Sequence, residues 1–511
     1  MVQHSILFDR PEDALGVDGR AEPAYFTDLN LNQVVAAIVR GREGYHLEAF
    51  FYVPLPSVDA VAYRHEVMRD LHHEAARSSI TAFAQRMLWM RRLLDQVNEA
   101  SHPQQKEILF LDAVHTYVEA VDGLAADLNA AEVVSRGLRG LRDYLAVYKR
   151  SERFTSLVRE TASLKDRLAA VRYNIHIWRG HVSVSRYDDE PDYSAEVEAV
   201  LEKFGQAATD SYVRESSSGI QMNKIEAAVL GMVAKLYPET FSALAEYRAR
   251  HATYLDETIA GIDREAQFYL AYVEYLAGFE RAGLPFCFPT VSSLSKHVYA
   301  RDSFDLALAD KVEREGGDVV PNDFSLHDPE RILVVSGPNQ GGKTTFARMF
   351  GQLHHLASIG CPVPGRSAQL FLFDQLFTHF EMAESGTNLQ GKLADDLLRL
   401  HDILTRATPR SVVILNEILS STSLHDAVIL GEKIMRQVID LDLLCVCVTF
   451  LDELSRLSDT TVSMVTTVDP EDVAVRTYRV VRRAADGMSY AASIAEKYGL
   501  TYERLQERIR S

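Results

Sequence analysis

Arg331-Ile-Leu-Val-Val-Ser-Gly-Pro-Asn-Gln-Gly-Gly-Lys-Thr-Thr345, running on into Phe-Ala-Arg-Met-Phe350, decides how this chain is read. Ile332–Val335 is a short apolar run of buried-strand type, and Phe346–Phe350 resumes with helical spacing. Between them, Gly337 and Gly342-Lys343-Thr344 stand at the spacing Gly-x-x-x-x-Gly-Lys-Thr, in the strand–loop–helix context that spacing requires. Without side chains at the glycines, successive backbone N–H groups can converge on phosphate oxygens. The helix start that follows adds its positive dipole end. Gly337, Pro338, Asn339, Gln340, Gly341, Gly342, Lys343, Thr344 and Thr345 are therefore expected to wrap the triphosphate of ATP. Lys343 would contact the β- and γ-phosphates, and the Thr344 hydroxyl would ligate Mg²⁺.

Working outward, Ser411–Leu415 is a second apolar run and ends in Asn416-Glu417. Strand ends of this kind hold Mg²⁺ and activate water, so Glu417 is the expected general base and Asn416 a metal-side ligand. An amide at 416 accepts a hydrogen bond from a magnesium-bound water but brings no negative charge. A third run, Leu443–Val448, ends at Thr449-Phe450, and Thr449 could sense the γ-phosphate. Strands alternating with helices predict a P-loop α/β domain with a mostly parallel sheet over 321–511.

Upstream the pattern changes. From Val58 to about Leu168 apolar residues recur at three- and four-residue spacing, interrupted at Pro103 and weakened at Gly137 and Gly140. Tyr25–Ile38 reads as an entry loop and a helix, with Thr27 or Asp28 as its cap. Tyr173–Tyr187 alternates apolar and polar residues about Arg179-Gly180, which predicts a hairpin. Helix resumes near Tyr193 and ends near Ala282, and 290–330 is rich in turn residues. The predicted organisation is an α-helical part over 1–320 followed by the ATPase over 321–511.

The chain has 511 residues, two to four structural units by size. No apolar run reaches the ~18 residues of a membrane span. Four cysteines (Cys287, Cys361, Cys445 and Cys447) are too few for a disulfide framework and point to the cytoplasm, with Cys445 and Cys447 as strand packing. His72-His73 and His354-His355 are adjacent, so on helices they point about 100° apart and do not chelate one ion.

The net charge of −18 hides a basic stretch. Arg136 to Arg179 carries eleven Lys and Arg against four acids, a local balance of +7, with Tyr144, Tyr148, Tyr173 and Trp178 interleaved. Such a clamp, over about 136–187, could grip duplex phosphates without reading bases. Arg153, Arg159, Lys165, Arg167, Arg172 and Arg179 are its candidate DNA contacts. The competing reading of any charge run is a solvated helix face.

The phosphate loop, with its Pro338-Asn339 pair, resembles that of the MutS family of DNA mismatch repair ATPases. Val320–Asp323 resembles the segment leading into that loop. Ser411–Ala427 resembles the family's magnesium strand and dimer-contact loop, with Asp426 matching its acidic residue. Glu381-Met382-Ala383-Glu384 and the helix after it resemble the stretch around the signature loop, and Ser489 to Arg508 the C-terminal helical segment. Phe50–Leu71 looks like the start of the helical lever. The resemblance implies a homodimer that sandwiches two ATP molecules with Mg²⁺. Each site would be completed by the partner's loop within Thr378–Asn388, including Ser385 and Asn388, with pairing through about 487–511. It further implies binding to duplex or branched DNA without sequence preference, and contact with other repair proteins. The sequence departs from the family at Asn416 (usually Asp), at Phe450 (usually His) and near Leu376 (usually Ser), and no mismatch-reading Phe-x-Glu appears near the start. Two readings of different class follow: a MutS-like ATPase acting on DNA structure, or a nucleotide-switched scaffold with weak hydrolysis and no DNA binding.

Overall fold

The computed structural model describes residues 4–178, 181–188, 222, 224–381, 392–420, 422–469, 475–485 and 506. Arg179, Ser385, Asn388, and the 487–511 segment except Gln506 lie outside the described residues.

In chain order the helices are α1 (Tyr25–Asp28), α2 (Leu31–Val39), α3 (Glu48–Tyr52), α4 (Val58–His72), α5 (Glu74–Glu99), α6 (Pro103–Ala130), α7 (Arg136–Tyr148), α8 (Glu152–Ala169), α9 (Lys224–Leu236), α10 (Pro238–Arg250), α11 (Glu257–Arg281), α12 (Leu306–Glu315), α13 (Lys343–Ser358), α14 (Lys392–Arg406) and α15 (Leu424–Asp440). The strands are β1 (Tyr173–Trp178), β2 (His181–Arg186), β3 (Phe286–Cys287), β4 (Thr290–Ser292), β5 (Val298–Ser303), β6 (Asn322–Leu326), β7 (Ile332–Ser336), β8 (Val363–Pro364), β9 (Ser367–Phe371), β10 (Leu376–Phe380), β11 (Val412–Asn416), β12 (Leu444–Val448), β13 (Thr461–Val468) and β14 (Arg476–Arg482). By compactness the chain forms two units, one of residues 1–70, 134–137 and 264–511, the other of 71–133 and 138–263.

The first unit is built on a six-stranded sheet in the order β10-β11-β12-β7-β13-β14. Neighbours from β10 through β13 run parallel, and β14 closes the edge antiparallel. All five residues of β7, β11 and β12 are buried, as continuous apolar runs covered on both faces require. Cys445 and Cys447 share one face of β12 and enter an apolar cluster with Ile332, Val334, Val413, Leu415, Met435 and Leu451. They are packing residues, as expected of small hydrophobic thiols.

The 290–330 stretch, read from sequence as turns, contributes β4, β5, α12 and β6 instead. With β9 these strands form a second sheet, β4-β9-β5-β6. The strands are three to six residues long and pair across distant sequence, as Tyr299 does with Gln369, so no local period announces them.

The N-terminal residues also differ from expectation. Neither Thr27 nor Asp28 caps a helix; both lie inside α1, and α2 follows Asn30 in the left-handed conformation. Asp28 is used in tertiary contacts. Its carboxylate accepts from Thr378 Oγ1 at 2.6 Å, and its carbonyl accepts from Arg348 Nε at 2.9 Å. The Gln352 amide donates to Leu29 O at 2.8 Å, so α1 is fastened to α13, the helix that follows the phosphate loop. Gly351 makes this approach possible: a Cβ there would stand 2.5 Å from Ile414 Cδ1 and 2.7 Å from Leu29 Cδ1. Gly351→Ala is expected to lower stability by about 1–3 kcal/mol through overpacking, read as a shift in the midpoint of denaturant unfolding. An unchanged midpoint would show that the contact relaxes freely.

Among the described residues the second unit is helical with one hairpin. α5 and α6 are joined by the three residues Ala100–His102 and pack side by side, Pro103 occupying the first turn of α6 where no N–H is needed. Four buried hydroxyls bond in two pairs, Tyr117 with Tyr148 at 2.8 Å and Thr161 with Tyr247 at 2.6 Å. The hairpin forms as the alternation predicts, with Tyr173 opposite Arg186 and Trp178 opposite His181.

Candidate functional site

β7 ends at Ser336, and after six intervening residues α13 begins at Lys343. Gly337 has φ 122° and Gly342 φ 95°, conformations that side-chain-bearing residues rarely adopt. A second requirement was not visible in the sequence. Thr466 of β13 lies directly under the loop, so that a Cβ on Gly337 would strike its hydroxyl and one on Gly341 would lie 2.7 Å from it. The glycines thus let the loop settle on the sheet as well as turn. The first amides of α13 have no intrahelical acceptor, and these are the donors a phosphate would use.

Lys343 is almost fully buried and donates to Gly337 O at 3.0 Å, Pro338 O at 3.2 Å and Asn339 Oδ1 at 3.2 Å. Its ammonium is held in the mouth of the loop. Burial pushes its pKa below the ordinary value, Glu417 opposes that shift, and Arg476 adds to it. An arriving polyanion would relieve both the desolvation and the neighbouring like charge.

Across the sheet, Asn416 ends β11 beside Val448, and Thr344 Oγ1 donates to Asn416 Oδ1 at 2.9 Å. Glu417 follows in the left-handed region, φ 53°, its N–H bonded to Val448 O at 2.9 Å. A cavity of about 440 Å³ is lined by Gln340, Gly342, Lys343, Thr344, Thr345, Glu417 and Tyr478, with Val319, Val320 and Asn322 among its other walls. Eight non-glycine residues have positive φ among the described residues, and Gln340, Glu417 and Tyr478 are three of them. Such strain collects where a site over-determines its backbone. A larger groove of about 970 Å³ lies elsewhere in this unit, lined by Asp28, Asp374 and Asp402 as well as Arg399 and Arg406, but Arg406 is paired with Asp402, Arg399 donates to Phe380 O, and among the described residues no glycine lines it. The chemistry therefore favours the smaller cavity.

The residues fit the nucleotide and its metal. The loop offers glycines, helix-start amides and a buried ammonium to the phosphates. Thr344 and Asn416 offer two neutral oxygens within hydrogen-bond distance of each other, ligand types suited to Mg²⁺ that keeps waters and phosphate oxygens. Among the described residues no group of three His, Cys, Asp or Glu could hold a metal on its own, and His354 and His355 are buried packing residues.

Thr449 sits at the end of β12, but its hydroxyl accepts from Leu451 N at 3.0 Å, turned onto its own loop and away from the cavity walls. Phe450 beside it is half exposed. Ser423 caps α15, its hydroxyl accepting from Asp426 N at 3.2 Å and donating to the Asp426 carboxylate at 2.7 Å.

In the second unit, the candidate DNA contacts divide. Arg153 donates to Thr253 O at 2.6 Å, Arg167 to Glu239 O at 2.9 Å, and Lys165 pairs with Asp112 at 2.8 Å. These three serve the helical packing. Arg159 is exposed, and Arg172 is exposed with its guanidinium over Tyr187. Of the +7 balance, Lys165 is offset by Asp112 and Lys149 by Asp122 at 2.9 Å, while Arg153 and Arg167 are exposed and keep their charge.

No helix among the described residues is long and apolar enough to cross a membrane. Residues 333–508 match the family model of MutS domain V. The chain is 28% identical over 391 residues to the DNA mismatch repair protein MutS of Shouchella clausii, a match covering 74% of this chain and 41% of that protein. It is 32% identical over 226 residues to the DNA mismatch repair protein MutS of Halalkalibacterium halodurans, covering 42% and 26%. It is 34% identical over 203 residues to the endonuclease MutS2 of Gemmatimonas aurantiaca, covering 38% and 24%. The chain thus spans less than half the length of each of these relatives.

Proposed function

Taking as premise that this chain belongs to the MutS family, we propose that it is an ATP-hydrolysing switch that dimerises on nucleotide and acts on DNA. The observation that carries the reading is that Lys343, Thr344 and Glu417 line one strand-end cavity, with Asn416 bonded to Thr344 beside it. The relatives named for DNA mismatch repair and for endonuclease activity direct the reading toward DNA.

In this reading 321–511 is the ATPase domain, with a pairing segment near 487–511, and 1–320 is the lever and clamp. Gly337–Thr345 holds the triphosphate, and Lys343 transfers its hydrogen bonds from loop carbonyls to phosphate oxygens. Thr344 and Asn416 hold Mg²⁺, which when bound supplies charge neutralisation at the terminal phosphates. Glu417, at the end of β11, orients the attacking water and takes its proton. Ser385 and Asn388 reach the nucleotide of the second subunit. Arg159, Arg172 and Arg179 make phosphate contacts in the clamp, and Arg153, Lys165 and Arg167 stiffen it.

ATP turnover measured at low salt, with and without duplex and branched DNA, tests the whole. Turnover that changes with DNA, together with binding that weakens steeply as salt rises, is expected. Nucleotide binding with little turnover and no response to any DNA form would move the chain to the second reading, a nucleotide-switched scaffold. The internal use of Arg153, Lys165 and Arg167 and the neutral Asn416 favour that alternative.

A further inference from the structure

We infer that Arg476 is a second phosphate-binding cation of the nucleotide site, supplied by the edge strand β14. The inference rests on the phosphate-loop reading above and adds to it a residue outside the loop and its two neighbouring strands.

β14 lies along the loop. Arg476 Nε donates to Asn339 O at 3.3 Å, and two residues further Tyr478 O would stand 3.7 Å from a Cβ on Gly342. Tyr478 is held at φ 58°, a costly conformation for a tyrosine, and this keeps the strand turned against the loop. Asn339 is bracketed by two cations, since its side-chain oxygen takes Lys343 and its carbonyl takes Arg476. Asn339 itself is exposed, so its acceptors are replaceable.

Two cations beside one loop repel each other. Loop carbonyls are weak partners for the Lys343 ammonium. A triphosphate offers several oxygens of full negative character to both, through shorter, charge-assisted bonds. A guanidinium suits this role because it stays charged and presents parallel donors. Below the loop, the Thr466 hydroxyl is fully buried with no hydrogen-bond partner in this arrangement, a group that a shift of the loop onto phosphate could satisfy. Asn416 leaves the metal side one negative charge poorer than an aspartate would, so the site as a whole favours anions.

The test is equilibrium binding of ATP and of AMP to the full chain, in Mg²⁺ and in EDTA. Arg476→Ala is expected to weaken ATP binding about tenfold or more, and by a larger factor in EDTA, where no metal shares the phosphate charge. AMP affinity and melting temperature should stay at the wild-type values. Arg476→Lys, which keeps the charge, should recover most of the ATP affinity. Equal ATP affinity for Arg476→Ala and wild type in both buffers overturns the inference. An equal loss for ATP and AMP, with a lowered melting temperature, also overturns it and makes Arg476 a structural tie. Wild-type protein that binds no ATP would instead remove the phosphate-loop reading on which this rests.

Discussion

Lys343→Ala is expected to abolish ATP binding at nucleotide concentrations that saturate the unaltered protein, a loss of about 100-fold or more. The ammonium makes three hydrogen bonds, to Gly337 O, Pro338 O and Asn339 Oδ1, so it both arranges the loop and stands where phosphate oxygens must arrive. Charge-assisted bonds to phosphate are about twice as strong as neutral ones, and no side chain of alanine size replaces them. Folding should survive. A buried ammonium pays desolvation, which is why its pKa lies below the ordinary value, and truncation removes that cost along with the loop bonds. Isothermal titration with ATP, beside a denaturation curve, separates the two effects. Undiminished ATP affinity in a folded Lys343→Ala protein would sink the site.

The second large effect concerns turnover. Glu417→Gln is expected to reduce steady-state phosphate release by about 10²–10⁴-fold while leaving ATP affinity within a few-fold of wild type. Its backbone is pinned by the bond to Val448 O at 2.9 Å, in a left-handed conformation that the neighbouring strand enforces. Glutamine keeps the shape and the hydrogen-bonding reach, but it cannot take a proton from water. A nucleotide-bound, non-turning variant would also lengthen the life of any ATP-held dimer, visible in size-exclusion chromatography. If Glu417→Gln releases phosphate at the wild-type rate, the base lies elsewhere, and if wild type itself shows no turnover, the scaffold reading gains.

Glu417 and Asn416 show how far local sequence carries. An apolar run ending in Asn-Glu marks a strand end with chemistry, and β11 is that strand. That Asn416 Oδ1 accepts from Thr344, 72 positions away, follows from β11, β12 and β7 lying side by side, which register alone establishes. The clamp argument shows the opposite balance. Counting charges from Arg136 to Arg179 gives an excess of cations, yet Arg153, Lys165 and Arg167 bond to partners at Thr253, Asp112 and Glu239 that no count along the chain reveals. Thr449 stands at the end of β12, where its hydroxyl accepts from Leu451 N and keeps its own proton to donate.

By itself the sequence determined the glycine-rich strand–loop–helix, the three central strands, the long helices and the hairpin. Each is written in a local period or spacing that backbone geometry reads directly: five-residue apolar runs, three-and-four recurrence, alternation, and glycine where φ is positive. Only the tertiary structure decided that residues from the N-terminus fasten the phosphate-loop helix, that β4, β5, β6 and β9 make a second sheet, that Thr466 underlies the loop glycines, and that Arg476 comes to stand beside Asn339. Those arrangements depend on contacts between residues up to hundreds of positions apart, and such contacts are settled by packing and hydrogen-bond satisfaction across the folded chain, which no local pattern encodes.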